Sequence, residues 1–222
     1  MTSPALVNDV WIDYESSGID VGNDRIFEAG VVYLDKDLNV IEEFETVIAS
    51  DAQGLARMDA NQFVLDMHSK SGLLARLHDP ATPKMTLAEF QAKVISDLDR
   101  LGREADIYFG GSGSSGFDYP ITQAQMSELG ALFPYWAQKD VRYARGLYQQ
   151  ASGGFSIEGD FHSSKTHRAI DDIRLHVAEW RAYTKVMRAG IAALAAEKAD
   201  AFYNSPERDW VSPRSQQRKP LG

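Results

Sequence analysis

Val10-Trp11-Ile12-Asp13-Tyr14-Glu15 reads as a β-strand whose two faces carry different chemistry. Side chains alternate along a strand, so Val10, Ile12 and Tyr14 form an apolar face while Trp11, Asp13 and Glu15 form the other. Ser16-Ser17-Gly18 then reads as a turn. Phe27 to Leu34 is a second strand, Asp35 to Asn39 a turn, and Val40 to Ile48 alternates as a third. Strands joined so closely form an antiparallel meander. Ala105 to Phe109 is a short apolar strand, followed by a glycine-serine run from Gly110 to Gly116.

Helical patterns fill the rest. Gln53 to His78 holds short helices, and Thr86 with Glu89 forms a capping box that opens a helix running to Leu98–Leu101. Helices are expected from Tyr119 to Leu129 and from Lys139 to Gln150. The clearest spans His167 to Met187, where Ile170, Ile173, Val177, Trp180, Thr184 and Met187 recur at helical spacing. A separate alanine-rich helix follows at about Ile191 to Tyr203. Strands first, then strand and helices, imply an α/β protein with a mixed sheet.

Two carboxylates side by side at a strand end repel unless a cation neutralises them. Magnesium and manganese favour such oxygen ligands. Taken alone, an Asp-x-Glu pair is far more often a solvated strand end than a site. Asp118 follows the glycine-serine run, where ligands sit at the carboxyl ends of strands in open α/β sheets. Its bland alternative is an N-cap for the next helix. In His167-Arg-Ala-Ile-Asp171-Asp172, Asp172 lies beside the apolar stripe of Ala169, Ile173 and Val177, whereas Asp171 points away. His167, at the helix start, suits a general base for water; otherwise it is a helix-start histidine without a role.

The balance of 44% hydrophobic and 25% charged residues over 222 positions is that of a globular domain. The absence of cysteine excludes disulfides, thiolate zinc sites and cysteine nucleophiles. The net charge of −9 is unusual for a nucleic-acid binder, but an enzyme that holds its substrate through divalent cations needs no basic surface. The opening residues lack a signal-peptide pattern, and no stretch approaches the ~20 apolar residues that span a bilayer. A cytoplasmic protein without membrane contact is expected. From Ser205 onward, three prolines and a basic, polar composition imply a disordered tail.

Asp13-x-Glu15, Asp118 and His167-x-x-x-x-Asp172 together resemble the DEDD exonucleases of the histidine subtype, in order and in structural context. The resemblance extends to the oligoribonucleases. Trp11 to Ile19 is similar to their opening motif, Asp24-Arg-Ile-Phe-Glu-Ala to their second strand, Met58-Asp, His68 and Ser71-Gly-Leu to their middle segment, and His167 to Glu179 to their final helix. It covers about Val10 to Met187. It implies a ribonuclease-H-like mixed sheet flanked by helices, with residues 1–188 as the exonuclease domain, 189–204 as a C-terminal helix packed on the domain or a partner, and 205–222 as the tail.

The resemblance further implies that Asp13, Glu15, Asp118 and Asp172 hold two divalent cations, Mg2+ or Mn2+, with His167 as base. Ser17, Gly18, Ile19, Phe63, His68 and Ser114 are then the substrate-contacting positions, Ile19 as a wedge and Phe63 as a stacking ring where a tryptophan is usual. The implied activity is 3′–5′ hydrolysis of short single-stranded RNA by a homodimer, releasing nucleoside 5′-monophosphates. A DNA exonuclease uses the same carboxylates, and a non-catalytic binding relative could keep the fold. Gly113 replaces a usual asparagine. Ala137 and Arg142 stand where an arginine and a serine usually close over the substrate's terminal phosphate, so a shallower preference for very short strands is expected.

Overall fold

The computed structural model describes residues 5–154 and 166–203, with side chains through 195. The expected basic tail at 205–222 lies outside the described residues. Six strands form one mixed sheet: β1 (Val7–Ser16), β2 (Ile26–Leu34), β3 (Val40–Ile48), β4 (Lys84–Met85), β5 (Arg103–Gly111) and β6 (Gln138–Asp140). Their order across the sheet is β4-β3-β2-β1-β5-β6. The meander β1–β2–β3 is antiparallel, while β4 pairs parallel to β3, and β5 and β6 continue parallel to β1. Its central place makes β1 buried on both faces.

Between β3 and β4 lie three short helices, α1 (Ala52–Asp59), α2 (Gln62–Lys70) and α3 (Leu73–His78). Met58, Val64 and Leu73 from these helices pack with Phe27 and Val47 in a small core of their own. Helix α4 (Leu87–Leu101) opens with the anticipated capping box between Thr86 and Glu89. Its Phe90, Val94 and Leu98 bury against Val10, Ile12 and Tyr14, the apolar face of β1. Helices α5 (Asp118–Gln125) and α6 (Ser127–Gly130) add Ile121, Met126 and Leu129 to the same core.

The opposite face of the sheet receives the beginning of α8 (Ala169–Tyr203), as far as Arg181, where Trp180 meets Trp11 edge to face at 5.9 Å between ring centroids. Residues through Arg181 form one compact unit, and those from Ala182 a second. No helix among the described residues is long and apolar enough to cross a membrane.

Four local expectations are corrected. The helix expected from Lys139 begins only at Val141, as α7 (Val141–Ala151), because Gln138–Asp140 pairs with β5 as an edge strand. The helix expected over 119–129 divides at Met126 into α5 and α6. The expected helices over 167–187 and 191–203 are one continuous element, since alanine-rich sequence offers nothing to stop a helix already running. Asp118 is not an N-cap; Phe117 holds that place and Asp118 is the first helical residue.

Candidate active site

The site forms where β1 ends between its neighbours. Glu15 faces Glu28 across the β1–β2 register, and Asp13 faces Gly30. Gly30 matters for what it lacks. A Cβ there would stand 2.7 Å from the backbone nitrogen of Ile170 and 2.8 Å from the carbonyl carbon of Ala169. Only glycine lets the first turn of α8 approach β2 this closely.

That turn is held by Glu28, which is fully buried. Its carboxylate accepts the Ala169 backbone N–H and the Arg168 Nε–H, each at 3.1 Å, and a hydrogen bond from Arg76 at 2.6 Å. A carboxylate at a helix N-terminus also complements the helix dipole. His167, two residues before α8, sits in the left-handed region at φ 54°. A nitrogen of His167 and carboxylate oxygens of Glu15 and Asp172 all lie within 4.8 Å of one another. Such oxygen and nitrogen donors could hold a divalent cation. Asp172 is buried, whereas Asp171 pairs with Arg174 at 3.0 Å on the outer face.

Asp118 comes in from the other side. Its carboxylate accepts the backbone N–H of Tyr14 at 3.3 Å, which sets it against the residue between Asp13 and Glu15. Tyr14 repeats the connection through its hydroxyl, 2.9 Å from Thr122 one turn along α5. Burial pushes the Asp118 carboxyl up to about 7, against the pull of the Tyr14 N–H, and the nearby Asp140 charge adds to the rise. A carboxylate so desolvated is stabilised by a cation beside it.

The loop before Asp118 is laced to α7 by Asp140. This carboxylate accepts the N–H of Gly113 at 2.9 Å, the hydroxyl of Ser115 at 2.6 Å and the N–H of Arg142 at 3.0 Å. Burial acts to raise its pKa, but these donors prevail and hold it below the usual carboxylate range.

The expected substrate-contacting residues divide into two groups. Ile19 and Phe63 project into solvent, 88% and 75% exposed. Phe63 lines a cavity of about 470 Å³ with Lys70, Thr166 and His167, and Ile19 borders another of about 370 Å³ with Gly18 and Arg57. Ser17, His68 and Ser114 are instead buried. The Ser17 hydroxyl donates to Asp24 at 2.8 Å, and Asp24 also accepts Arg57 and the Asp20 N–H. Ser17 therefore shapes the loop that carries Ile19. His68 Nε2 donates to the Ser16 carbonyl at 2.8 Å, and its Nδ1 stands 3.8 Å behind Glu15. Burial holds its imidazole below the usual range. Gly18 leaves room for Asp24, which a Cβ would approach at 2.5 Å.

Asp24 and Glu28 lie in the segment similar to the family's second strand, but neither they nor Asp140 were expected to have a role. A signal existed for Glu28: one carboxylate inside an otherwise apolar strand must find donors, or its burial costs several kcal/mol, on the order of the penalty per buried ion. Asp24 and Asp140 sit beside turns, where an acidic residue is commonplace.

One carboxylate from the first strand and one from the last helix meet beside a histidine, while Asp13 and Asp118 are not part of that cluster. On this sheet the pattern is that of the DEDD-type 3′–5′ exonucleases. The chain is 31% identical over 181 residues to the oligoribonuclease of Aeromonas hydrophila, covering 79% of this chain and 93% of that one. It is 31% identical over 179 residues to that of Pseudomonas fluorescens, covering 80% and 94%. The chain belongs to the oligoribonuclease family. No family model matches it.

Solved structures agree on the fold. Escherichia coli exonuclease I, in a zinc-bound complex with single-stranded DNA, superposes with a TM-score of 0.60 at 16% identity, over 86% of this chain and 43% of that one. Exonuclease I of Methylocaldum szegediense gives 0.57 at 16% identity, over 80% and 40%. The chain thus spans about two fifths of the exonuclease I chains.

Proposed function

We propose that this protein hydrolyses short single-stranded RNA from the 3′ end, releasing nucleoside 5′-monophosphates. The observation that carries the reading is the convergence of Glu15, Asp172 and His167 within 4.8 Å at the end of β1. With Asp13 two residues before Glu15, and Asp118 accepting the backbone N–H of the intervening Tyr14, the four carboxylates would hold two divalent cations, Mg2+ or Mn2+. Cations bound there supply the positive charge that the attacked phosphate needs and make water a better nucleophile.

The chain's own groups do the rest. His167 takes the proton of the attacking water, whose oxygen bonds to the terminal phosphorus as the bond to the neighbouring 3′ oxygen breaks. The departing 3′ oxygen takes a proton from solvent, so the shortened strand ends in a 3′-hydroxyl. Glu28 holds the start of α8, and with it His167, against β1. Ile19 and Phe63 grip the terminal nucleotide without reading its sequence, as an apolar wedge and a stacking ring do.

RNA is favoured by membership of a family whose curated relatives are named oligoribonucleases. A DNA 3′ end is the second reading, because exonuclease I is solved with DNA oligonucleotides, among them dA16. End-labelled RNA and DNA of several lengths, incubated with magnesium or manganese and resolved by size, separate the two. Stepwise 3′ shortening of RNA is expected, and inertness toward both polymers sinks the reading.

We further propose a homodimer. Tyr135 and Trp136 are 81% and 53% exposed, apolar surface that association would cover. Sedimentation at micromolar concentration should give twice the chain mass, and a monomer there refutes it.

A further inference from the structure

Asp118 and Asp172 are carried by helices outside the sheet, so their relative placement depends on how those helices are tied. The start of α8 is anchored where Glu28 accepts the Ala169 N–H at 3.1 Å. One anchor in its first turn leaves a helix able to roll about that point. Asp172, His176 and Glu179 recur at i, i+4 and i+7, and all three are buried. Glu179 therefore lies on the face of α8 that carries Asp172, about 10 Å farther along the axis. Whatever grips Glu179 sets the roll of α8, and with it the placement of Asp172.

Arg145 of α7 grips it. Its guanidinium donates to the two Glu179 oxygens at 2.7 and 2.8 Å, a bidentate pair whose carboxylate is 3% and whose arginine is 19% exposed. Along α7, Val141 is buried and Ala144, Arg145 and Tyr148 are half-buried, so arginine stands in the middle of the inward stripe. An apolar residue would pack there without losing hydration. A covered ion pair adds little stability, because desolvating both charges consumes much of their attraction. What the planar fork adds is a fixed distance and angle. The start of α7 is already tied to the loop before Asp118, since Asp140 accepts the Gly113 N–H, the Ser115 hydroxyl and the Arg142 N–H. Helix α7 thus runs from the loop that delivers Asp118 to the helix that delivers Asp172.

We propose that Arg145 is a positioning residue for the candidate cation site. Through Glu179 it fixes the roll of α8, and through α7 it keeps Asp172 in register with Asp118. The inference rests on the nuclease reading and adds to it the pair that tunes the cation site from outside. Magnesium demands near-ideal octahedral geometry, whereas calcium accepts more flexible arrangements of oxygen. Carboxylates held by a rigid fork suit the small ion, and loosening the fork costs the small ion most. Groups that orient ligands from behind change cation affinity by about 10- to 100-fold.

The test is calorimetry of Mg2+ and Ca2+ binding to the full chain and to its R145A, R145K and R145M/E179M variants. Tm of each chelated protein, and kcat and KM for a short RNA in excess Mg2+, are measured beside it. R145A should weaken Mg2+ binding about tenfold more than Ca2+ binding, with R145K between, since a lysine keeps the charge and loses the fork. In R145A kcat should fall while KM for the RNA holds, because Arg145 lines neither cavity beside Phe63 or Ile19. The double variant replaces both charges with apolar side chains, so its Tm in chelator should match or exceed wild type. Its Mg2+ affinity should nevertheless fall as in R145A. Equal weakening of both cations, or a double variant with wild-type Mg2+ affinity, overturns the proposal and leaves the nuclease reading intact. A double variant that loses Tm and both affinities together makes the pair a support of the fold alone and overturns it too. A wild-type chain that binds neither cation and hydrolyses no RNA removes both readings.

Discussion

The carboxylate of Glu28 in β2 accepts the backbone N–H of Ala169, the first residue of α8, at 3.1 Å. This single bond couples a sheet strand to the helix that carries Asp172 and follows directly on His167. Glu28→Gln removes the charge while keeping an acceptor oxygen. Its kcat should fall about 10- to 100-fold, since misplacing a site by ~1 Å costs about that much. Arg76 and Arg168 stay partly exposed, 30% and 22%, so the stability loss should be roughly 1–2 kcal/mol rather than the full value for a buried pair. Thermal unfolding and kinetics measured together check this, and a wild-type kcat would show that α8 is held by other contacts.

Gly30→Ala should act through the same interface by steric means. The added methyl meets backbone atoms of Ala169 and Ile170, which cannot swing aside as a side chain could. Overpacking of this kind costs about 1–3 kcal/mol. Activity should drop along with Tm, and full activity at a lowered Tm would separate the packing from the chemistry.

Chelation should abolish hydrolysis, and Asp13→Ala should lose both cation binding by calorimetry and turnover. Undiminished hydrolysis in excess chelator contradicts the cation-dependent mechanism.

His167→Ala should lose about 10² to 10⁴ in rate, the usual effect of removing a general base, while still binding cation and substrate. Because its ring also lies within ligand range of Glu15 and Asp172, loss of cation binding in this variant would reassign it as a ligand. Asp171→Ala should be nearly silent beside Asp172→Ala, since Asp171 faces outward to Arg174.

Cation affinity should fall as pH drops through about 7, the value to which burial raises Asp118. Below it the carboxyl keeps its proton and cannot ligate, so binding should release about one proton per site near neutrality. The stability linkage has the opposite sign. A carboxyl raised from 3.8 in the unfolded chain favours the fold most below 3.8, and this contribution is lost as pH rises through about 7. Asp118→Asn should therefore raise Tm of the chelated protein at pH 8 while abolishing activity. A Tm no higher than wild type would mean that the Asp118 charge is well solvated.

The sequence by itself determined whatever depends on neighbours along the chain. Alternation in Val10 to Glu15 placed two carboxylates on one face, a 3.6-residue period set Asp172 inward and Asp171 outward, and Thr86 with Glu89 marked a helix start. These are local rules of backbone geometry; the family entered through the resemblance of the motif that these residues form. Tertiary structure alone decided the rest. Strands of two or three residues such as β4 and β6 have no periodicity of their own and exist only because a neighbouring strand offers its edge. His68 turns inward because the Ser16 carbonyl, 52 residues away, accepts its Nε2–H. Glu28 meets Ala169 across 141 residues, and Arg142 settles over Gly113 because two separate segments meet there. No window along the chain contains both members of such a pair, so their chemistry appears only when folding brings them into contact.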